Sequence, residues 1–519
     1  MSPDSHSRKP ARRGRPSQGP SRTRVGGSHR GSFSRATGTA PGHVGAKRRG
    51  GPSPAAARKS AKRAGAAPFN PQTKVNTSFM QEPPRFGVDA QGVHIPTGNT
   101  EMVLTRRQLL IGAGVVAGVA AIGAGASAYQ SSQKSSASFD TLTVASSQVI
   151  TLDDCTEGKA EDAVTQAGSY KLPYGTLMWC NSDSVAVCLL PTTTAKPLVE
   201  VALFSLSSGT TTTVLSNAVN QSQGYDVYDA RCSDDGMIWV EANILQGKWC
   251  VYTAPISDFS LGTPTKVDES DGSWETPSLV ADGTRAYWQL QPVSSDGTTG
   301  NLAGDAQVKT VTFAAPGSPQ TIYTYHGRMA CNLAVGQGGV VVVPCHEDTT
   351  TYRQLTLIDS TGRVLDALTL PSAMTPQDVS YGKTGFSFAF PDIYNYGDGI
   401  AQLGTYVPCA LPANGAYSSA NWFRFGRTPM ESAAWCGDYL MVKSTTAVCG
   451  INLSAKTYFT LSLENGCENY GDLLATEGVH DTVVTCQNVD NTEAQETGAA
   501  SSDEDATYCL VRVWTPASS

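Results

Sequence analysis

Cys232-Ser233-Asp234-Asp235-Gly236-Met237-Ile238-Trp239 is a tight polar turn that runs straight into an apolar strand. Asp and Gly supply turn backbone, and Met-Ile-Trp reads as a second, apolar strand. The same unit recurs at Ser182-Asp183, Ala281-Asp282-Gly283, Gln337-Gly338-Gly339, Lys383-Thr384-Gly385, Gly437-Asp438 and Val479-His480-Asp481. Each turn precedes an apolar run: Val185–Leu189, Ile238–Glu241, Ala286–Leu290, Val340–Val343, Phe386–Phe390, Leu440–Lys443 and Thr482–Thr485. The turns recur at intervals of roughly 50 residues, the length of a four-stranded propeller blade. Further strands complete most units, such as Val199–Leu206 with Thr211–Leu215, and Gln354–Ile358 with Val364–Leu370.

From Ser138 to the end the chain is rich in Thr, Val, Ser, Tyr and Gly and shows no amphipathic helical pattern, so the class is all-β. A β domain of this length needs a closed or repeated architecture. The expectation is a seven-bladed β-propeller over residues 138–519. The last unit has only three strands of its own, around Leu473–Thr476, Thr482–Asn488 and Thr507–Trp514. Thr141–Leu152 is expected to supply the fourth, closing the ring and removing a free edge. Tandem β-sandwiches, or rings of six or eight blades, are the alternatives.

The Cys232–Trp239 phrase, and more loosely Val280-Ala281-Asp282-Gly283, resembles the Ser-Pro-Asp-Gly turn of TolB-like, WD-repeat-like propellers, without the proline. The resemblance implies the fold and not a ligand.

Upstream, Thr105-Arg106-Arg107-Gln108-Leu109-Leu110 precedes a Gly/Ala-rich apolar run ending at Ala128. It resembles the twin-arginine export signal, with Leu109 in place of the common Phe and Ile111 where Lys is frequent. Arg106, Arg107, Leu109 and Leu110 carry the likeness. It implies passage through the export translocon for folded cargo, a cytoplasmic N-terminus and an extracytoplasmic C-terminal domain. Basic residues before any membrane helix give the same topology. Leu109 to Ala128 is about 20 residues, roughly 30 Å as a helix, enough to span a bilayer. Ala126-Ser127-Ala128 is a small-x-small cleavage signature, with Ala126 and Ala128 as its small residues. Both a cleaved signal and an anchoring transmembrane helix therefore remain open for residues 105–128, followed by a short linker at 129–137.

The formal net charge of −7 conceals two unlike parts. Residues 1–66 hold 16 Lys/Arg and one acidic residue, whereas residues 138–519 hold 17 Lys/Arg against 41 Asp/Glu. The basic tail has almost no large apolar side chain, so it is expected to be disordered. Its partners would be anionic lipid or nucleic acid. Arg13-Gly14-Arg15-Pro16 within it resembles an AT-hook core, a minor-groove element. Residues 67–104, with several prolines, read as a linker, and starts at Met80 or Met102 are alternatives to Met1.

All 13 cysteines lie at Cys155 or beyond, which fits oxidation outside the cytoplasm and some disulfides. Cys486 and Cys509 flank an acidic insertion, Asp490–Asp505, and are placed to face each other. Cys180, Cys232, Cys331 and Cys436 sit near inner-strand ends, where cysteine also serves as a small hydrophobe. With no Cys-x-x-Cys, and only His326, His346 and His480 in the domain, no metal site or cofactor is expected. No nucleophile elbow or dinucleotide-binding pattern occurs either.

In a propeller, the loop between the second and third strands and the link to the next blade emerge on one face. That rule gathers Tyr225, Asp226, Tyr228, Trp274, Glu275, Tyr325, His326, Arg328, His346, Glu347, Asp348, Asp392, Tyr394, Tyr396, Arg427 and Tyr470. Aromatic faces beside carboxylates suit sugars, peptides or an envelope protein; equally, aromatics at blade ends pack against neighbouring blades. The sequence thus reads as an exported or membrane-anchored propeller that binds or scaffolds. The rival is an exported carbohydrate- or peptide-active enzyme using carboxylates on the same face.

Overall fold

The structure is a computed structural model. It describes residues 141–517 except 194–196, 271, 294–303, 348–350, 372–373, 395–398, 428, 430 and 492–505, and the backbone of 87–88, 93–97 and 100–104. The basic tail with its Arg13-Gly14-Arg15-Pro16 element and the signal residues Arg106, Arg107, Leu109, Leu110, Ala126 and Ala128 lie outside the described residues. Among the described residues no helix is long and apolar enough to cross a membrane. Within the stretch read as a linker, Gly87–Val88, Val93–Thr97 and Thr100–Leu104 form a small antiparallel sheet. Gly98-Asn99, between its last two strands, is the hairpin signal that the reading passed over.

Beyond residue 141 the chain folds as a succession of antiparallel meanders with β-propeller topology. The first runs Leu177–Trp179, Val185–Pro191, Val199–Ser205, Thr211–Leu215, and the next begins Asp226–Cys232, Gly236–Asn243, Lys248–Ser257. Every turn quoted above lies between an innermost strand and its neighbour, as at Ser278–Asp282/Arg285–Leu290 and Asp378–Gly382/Gly385–Phe390. Second strands are mostly apolar because both sheet faces are covered: Gly236–Asn243 and Gly385–Phe390 are buried at every position. Outer strands such as Thr211–Leu215 face water and turn polar. Gly385 is required at its turn. Its φ is +104°, and a Cβ there would sit 2.7 Å from the Tyr417 hydroxyl.

The cores lie between meanders, not within them. Trp239 and Tyr252 pack against Val187 and Leu203 of the preceding sheet, and Trp288 and Phe313 pack against Ile238 and Val251. The pattern repeats around the chain until Val484, Val511 and Cys509 of the last meander pack against Ala186, Cys188 and Phe204 of the first. The ring is therefore closed by apolar contact between the ends of the domain. Innermost strands run parallel: Gly336 is bridged to Tyr381, and Ala434–Cys436 pairs with Gly478–His480.

The strand that completes the last sheet differs from the one expected. Val164–Leu172, not Thr141–Leu152, pairs antiparallel with Thr507–Pro516, from Cys509↔Leu172 to Pro516↔Val164. Residues 141–157 instead run along the outer edges of earlier meanders. Thr141 bridges Thr369, Val149–Ile150 pairs parallel with Trp422–Phe423, and Thr156–Glu157 pairs parallel with Thr457–Tyr458. Only Val164–Leu172, nine residues long and alternately exposed, matches the ten-residue partner strand in length. The earlier pieces are two residues each. Together they form a belt that covers otherwise open edges.

Candidate functional site

Within Asp226–Cys232 the charged residues Asp229 and Arg231 are two apart, which puts both on one strand face, here the face toward the channel enclosed by the innermost strands. Arg231 Nη1 donates to an Asp229 carboxylate oxygen and, at 2.9 Å, to the Ala230 carbonyl. Its guanidinium lies over the Trp179 ring of the preceding meander, 4.2 Å from the centroid. The Glu477 carboxylate, on the strand beside Cys180, stands 3.9 Å from Arg231 Nε. Burial pushes the Asp229 and Glu477 carboxyls up, and Arg231 opposes that in both. The recess among Trp179, Asn181, Arg231 and Glu477 is too narrow for a water molecule. These side chains fill this part of the channel; they do not form a ligand pocket.

A second ionic network joins the last two meanders. Lys443, fully buried, donates to the carbonyls of Tyr470 and Asp472, and burial lowers its affinity for a proton. Asp472, also fully buried, accepts from Arg512 and, at 3.0 Å, from Gln487 Nε2, while burial holds its carboxyl at about 6. Glu431 accepts from the Leu474 amide at 2.5 Å and is pushed by burial to about 7. Asp378, at about 6 for the same reason, accepts from Ser432 Oγ at 2.7 Å and the Val379 amide at 2.9 Å. Each of these carboxylates is held by donors, several of them on an adjacent meander.

The residues gathered by loop position divide in the structure. Tyr225 packs in the core between the first two meanders, and Tyr228 and Trp274 pack in the next. The Trp274 carbonyl also accepts from Trp249 Nε1. Tyr325 packs beside Ile322 and Tyr323 and donates to the Cys345 carbonyl. Tyr394 meets Phe390 edge-on at 5.2 Å and donates to the Thr375 carbonyl at 3.0 Å. Arg328 binds both oxygens of Glu275, at 2.6 and 2.7 Å, and also the Pro292 carbonyl. His326 Nδ1 is 2.7 Å from Asp305, at an exposed edge. Asp226 begins its strand half-buried, Asp392 and Arg427 are exposed, and Tyr470 is 48% exposed. His346 and Glu347 belong to the strand Cys345–Glu347, with only the backbone described, and Asp348 and Tyr396 lie outside the described residues.

The channel residues Trp179, Asp229, Arg231 and Glu477 escaped a reading that looked only at loops. For Asp229 and Arg231 the signal was present: two charges at a spacing of two within Asp226–Cys232, whose one other charge is at its first residue. The cysteines also depart from expectation, because no disulfide is present among the described residues. Cys509 sits opposite Asn488 and Cys486 opposite Val511, so the two are diagonal neighbours. Their thiols lie within hydrogen-bond reach of each other, and that contact together with burial raises the Cys486 thiol. Cys180, Cys331 and Cys436 are buried and give their thiols to backbone carbonyls of Ser182, Pro376 and Asp481. They behave as small hydrophobes with a weak donor. Among the described residues no group of three or more His, Cys, Asp or Glu is arranged to hold a metal ion.

No protein-family model and no curated protein matches the chain. Solved structures similar to it include a prolyl endopeptidase, at 10% identity and a TM-score of 0.43, covering 63% of this chain and 46% of that one. This chain thus spans less than half of the endopeptidase. The Dos1 propeller is similar at 9% identity and a TM-score of 0.35, covering 68% and 95%. TolB from Acinetobacter baumannii is similar at 12% identity and a TM-score of 0.32, covering 60% and 76%. At these scores the likenesses carry no functional argument, and the assignment of a β-propeller rests on the strand pairing of this chain itself.

Proposed function

We propose that this chain is an exported, envelope-associated, seven-bladed propeller that binds or scaffolds and catalyses nothing. The observation behind that reading is where apolar surface stays open. Val219, Ile244, Leu245, Val293, Ile393 and Tyr470 are 46–84% exposed, and each lies in a second-to-third-strand loop or a link between meanders, whereas only Val364, Leu365 and Leu411, 41–58% exposed, lie at third-to-fourth-strand connections among the described residues. Strand alternation puts the second-to-third-strand loops and the links at one end of the ring. Asp229, Asp378, Glu431 and Asp472 in the interior, by contrast, are each held by neighbouring donors, as described above. The enzyme alternative requires two carboxyl groups open to a substrate.

The test is co-sedimentation of residues 138–519 with purified envelope, separated into membranes and cell-wall polymer. Retention that falls at least tenfold in Ile244→Asp/Leu245→Asp, with an unchanged circular dichroism spectrum, supports the apolar face. Equal retention of this variant and the parent overturns it. Export is tested separately by N-terminal sequencing of protein from cell fractions. A start at Tyr129 in the extracytoplasmic fraction means a released domain, and Met1 in the membrane fraction means an anchored one. Recovery only from the cytosol overturns export.

A further inference from the structure

Nine of the 13 cysteines are buried, and four, Cys155, Cys345, Cys409 and Cys467, are partly open to solvent. Two of these four share one neighbourhood although they lie far apart in the sequence. Cys155 belongs to the belt, between Val149–Ile150 and Thr156–Glu157. Cys409 opens the loop after Gly404–Pro408, in the sheet that the belt crosses at Trp422–Phe423. Both pack against the cluster of Phe423, Phe425 and Cys449. Lys456 acts on both thiols, and its carbonyl accepts from Thr156, the residue after Cys155.

We propose that Cys155 and Cys409 form a disulfide that fastens the N-terminal belt to the ring when the protein meets a disulfide oxidant. Neither residue lies within a strand, so the backbone can bring the two sulfurs together without breaking a ladder. Exchange proceeds in two displacements. The Cys155 thiolate attacks one sulfur of the oxidant R–S–S–R, giving a mixed disulfide and releasing R–S⁻. The Cys409 thiolate then attacks the Cys155 sulfur and releases the second R–S⁻. Two electrons pass from the cysteine pair to the oxidant, and the two protons lost by the cysteines go to the released thiolates. Cys155 acts first because Cys409 is deeper, its thiol pushed to about 11 by burial.

The oxidant in the cell depends on the proposed export, so the geometry is tested first on purified full-length chain in glutathione disulfide, by alkylation and peptide mapping without reduction. The expected result is one cross-linked peptide pair containing Cys155 and Cys409. A melting temperature raised by oxidation should return to the reduced value in Cys155→Ser and in Cys409→Ser alike. Both thiols alkylated after oxidation, or a bond from Cys155 to Cys449 instead, overturns the pairing. Mapping protein from the envelope fraction then separates the two ideas: a pair that closes in glutathione but is reduced in cells argues against an oxidising location, not against the geometry.

Discussion

Arg231 lies over the indole of Trp179, 4.2 Å from the ring centroid, and so links the innermost strands of two successive meanders. The same guanidinium is bound by Asp229 on its own strand. Removing it strands a carboxylate in the channel. Arg231→Ala is expected to cost about 3 kcal/mol in urea unfolding. The double variant Asp229→Ala/Arg231→Ala should lose less than the sum of the singles, because no unpaired charge remains. Additive losses would show that the pair does not act as a unit.

Stability should rise as pH falls from about 8 to about 5. Glu431, at about 7, and Asp378, at about 6, hold their protons more tightly folded than unfolded. A carboxyl whose folded pKa is raised stabilises the fold most when protonated, below its unfolded pKa. That contribution disappears as pH rises through its folded pKa. Asp359 is shifted downward by its turn hydrogen bonds, so its contribution is lost only in more acidic solution. Melting temperature against pH in constant ionic strength reads this directly, and Glu431→Gln should flatten the rise.

Trp274→Ala and Tyr394→Ala are expected to lower stability, the tryptophan by about 3 kcal/mol, because both rings pack between elements of the fold. Asp392→Ala and Arg427→Ala, on exposed side chains, should change it by less than about 0.5 kcal/mol. Chemical denaturation of the four variants separates packing residues from surface ones. A stable Trp274→Ala would return that indole to the binding face.

A chain beginning at Pro173 should fail to fold as a soluble monomer, whereas one beginning at Ser138 should fold. The first lacks Val164–Leu172 and exposes the whole edge of Thr507–Pro516. Ser169→Pro, which removes a donor from the same ladder opposite Arg512, should give a milder version of the defect. Size-exclusion chromatography and thermal melts distinguish these outcomes.

The repeated turn was legible because Asp and Gly at a strand junction have a local physical cause, and each such junction falls where its residues placed it. The identity of the closing strand was not legible. Thr141–Leu152 and Val164–Leu172 have comparable strand character, and the choice between them is made by length and by distant partners at residues 507–516. The candidate site was read in part for a similar reason. Loop position gathered Glu275 and Arg328 among sixteen residues of one face without pairing them, and the structure joins the two at 2.6 Å. It could not say that Tyr228 and Tyr394 turn inward, because side-chain direction depends on the neighbouring sheet.

The closing pair also sets a schedule. Val164–Leu172 leaves the ribosome about 335 residues before Thr507–Pro516. At the usual pace of synthesis, that is a wait of roughly 20–70 s. During this interval the meanders accumulate as an open arc with a bare edge at each end. Closure of the ring therefore waits for the last strand to be made, and any factor that shields those edges in the meantime governs the yield of closed rings.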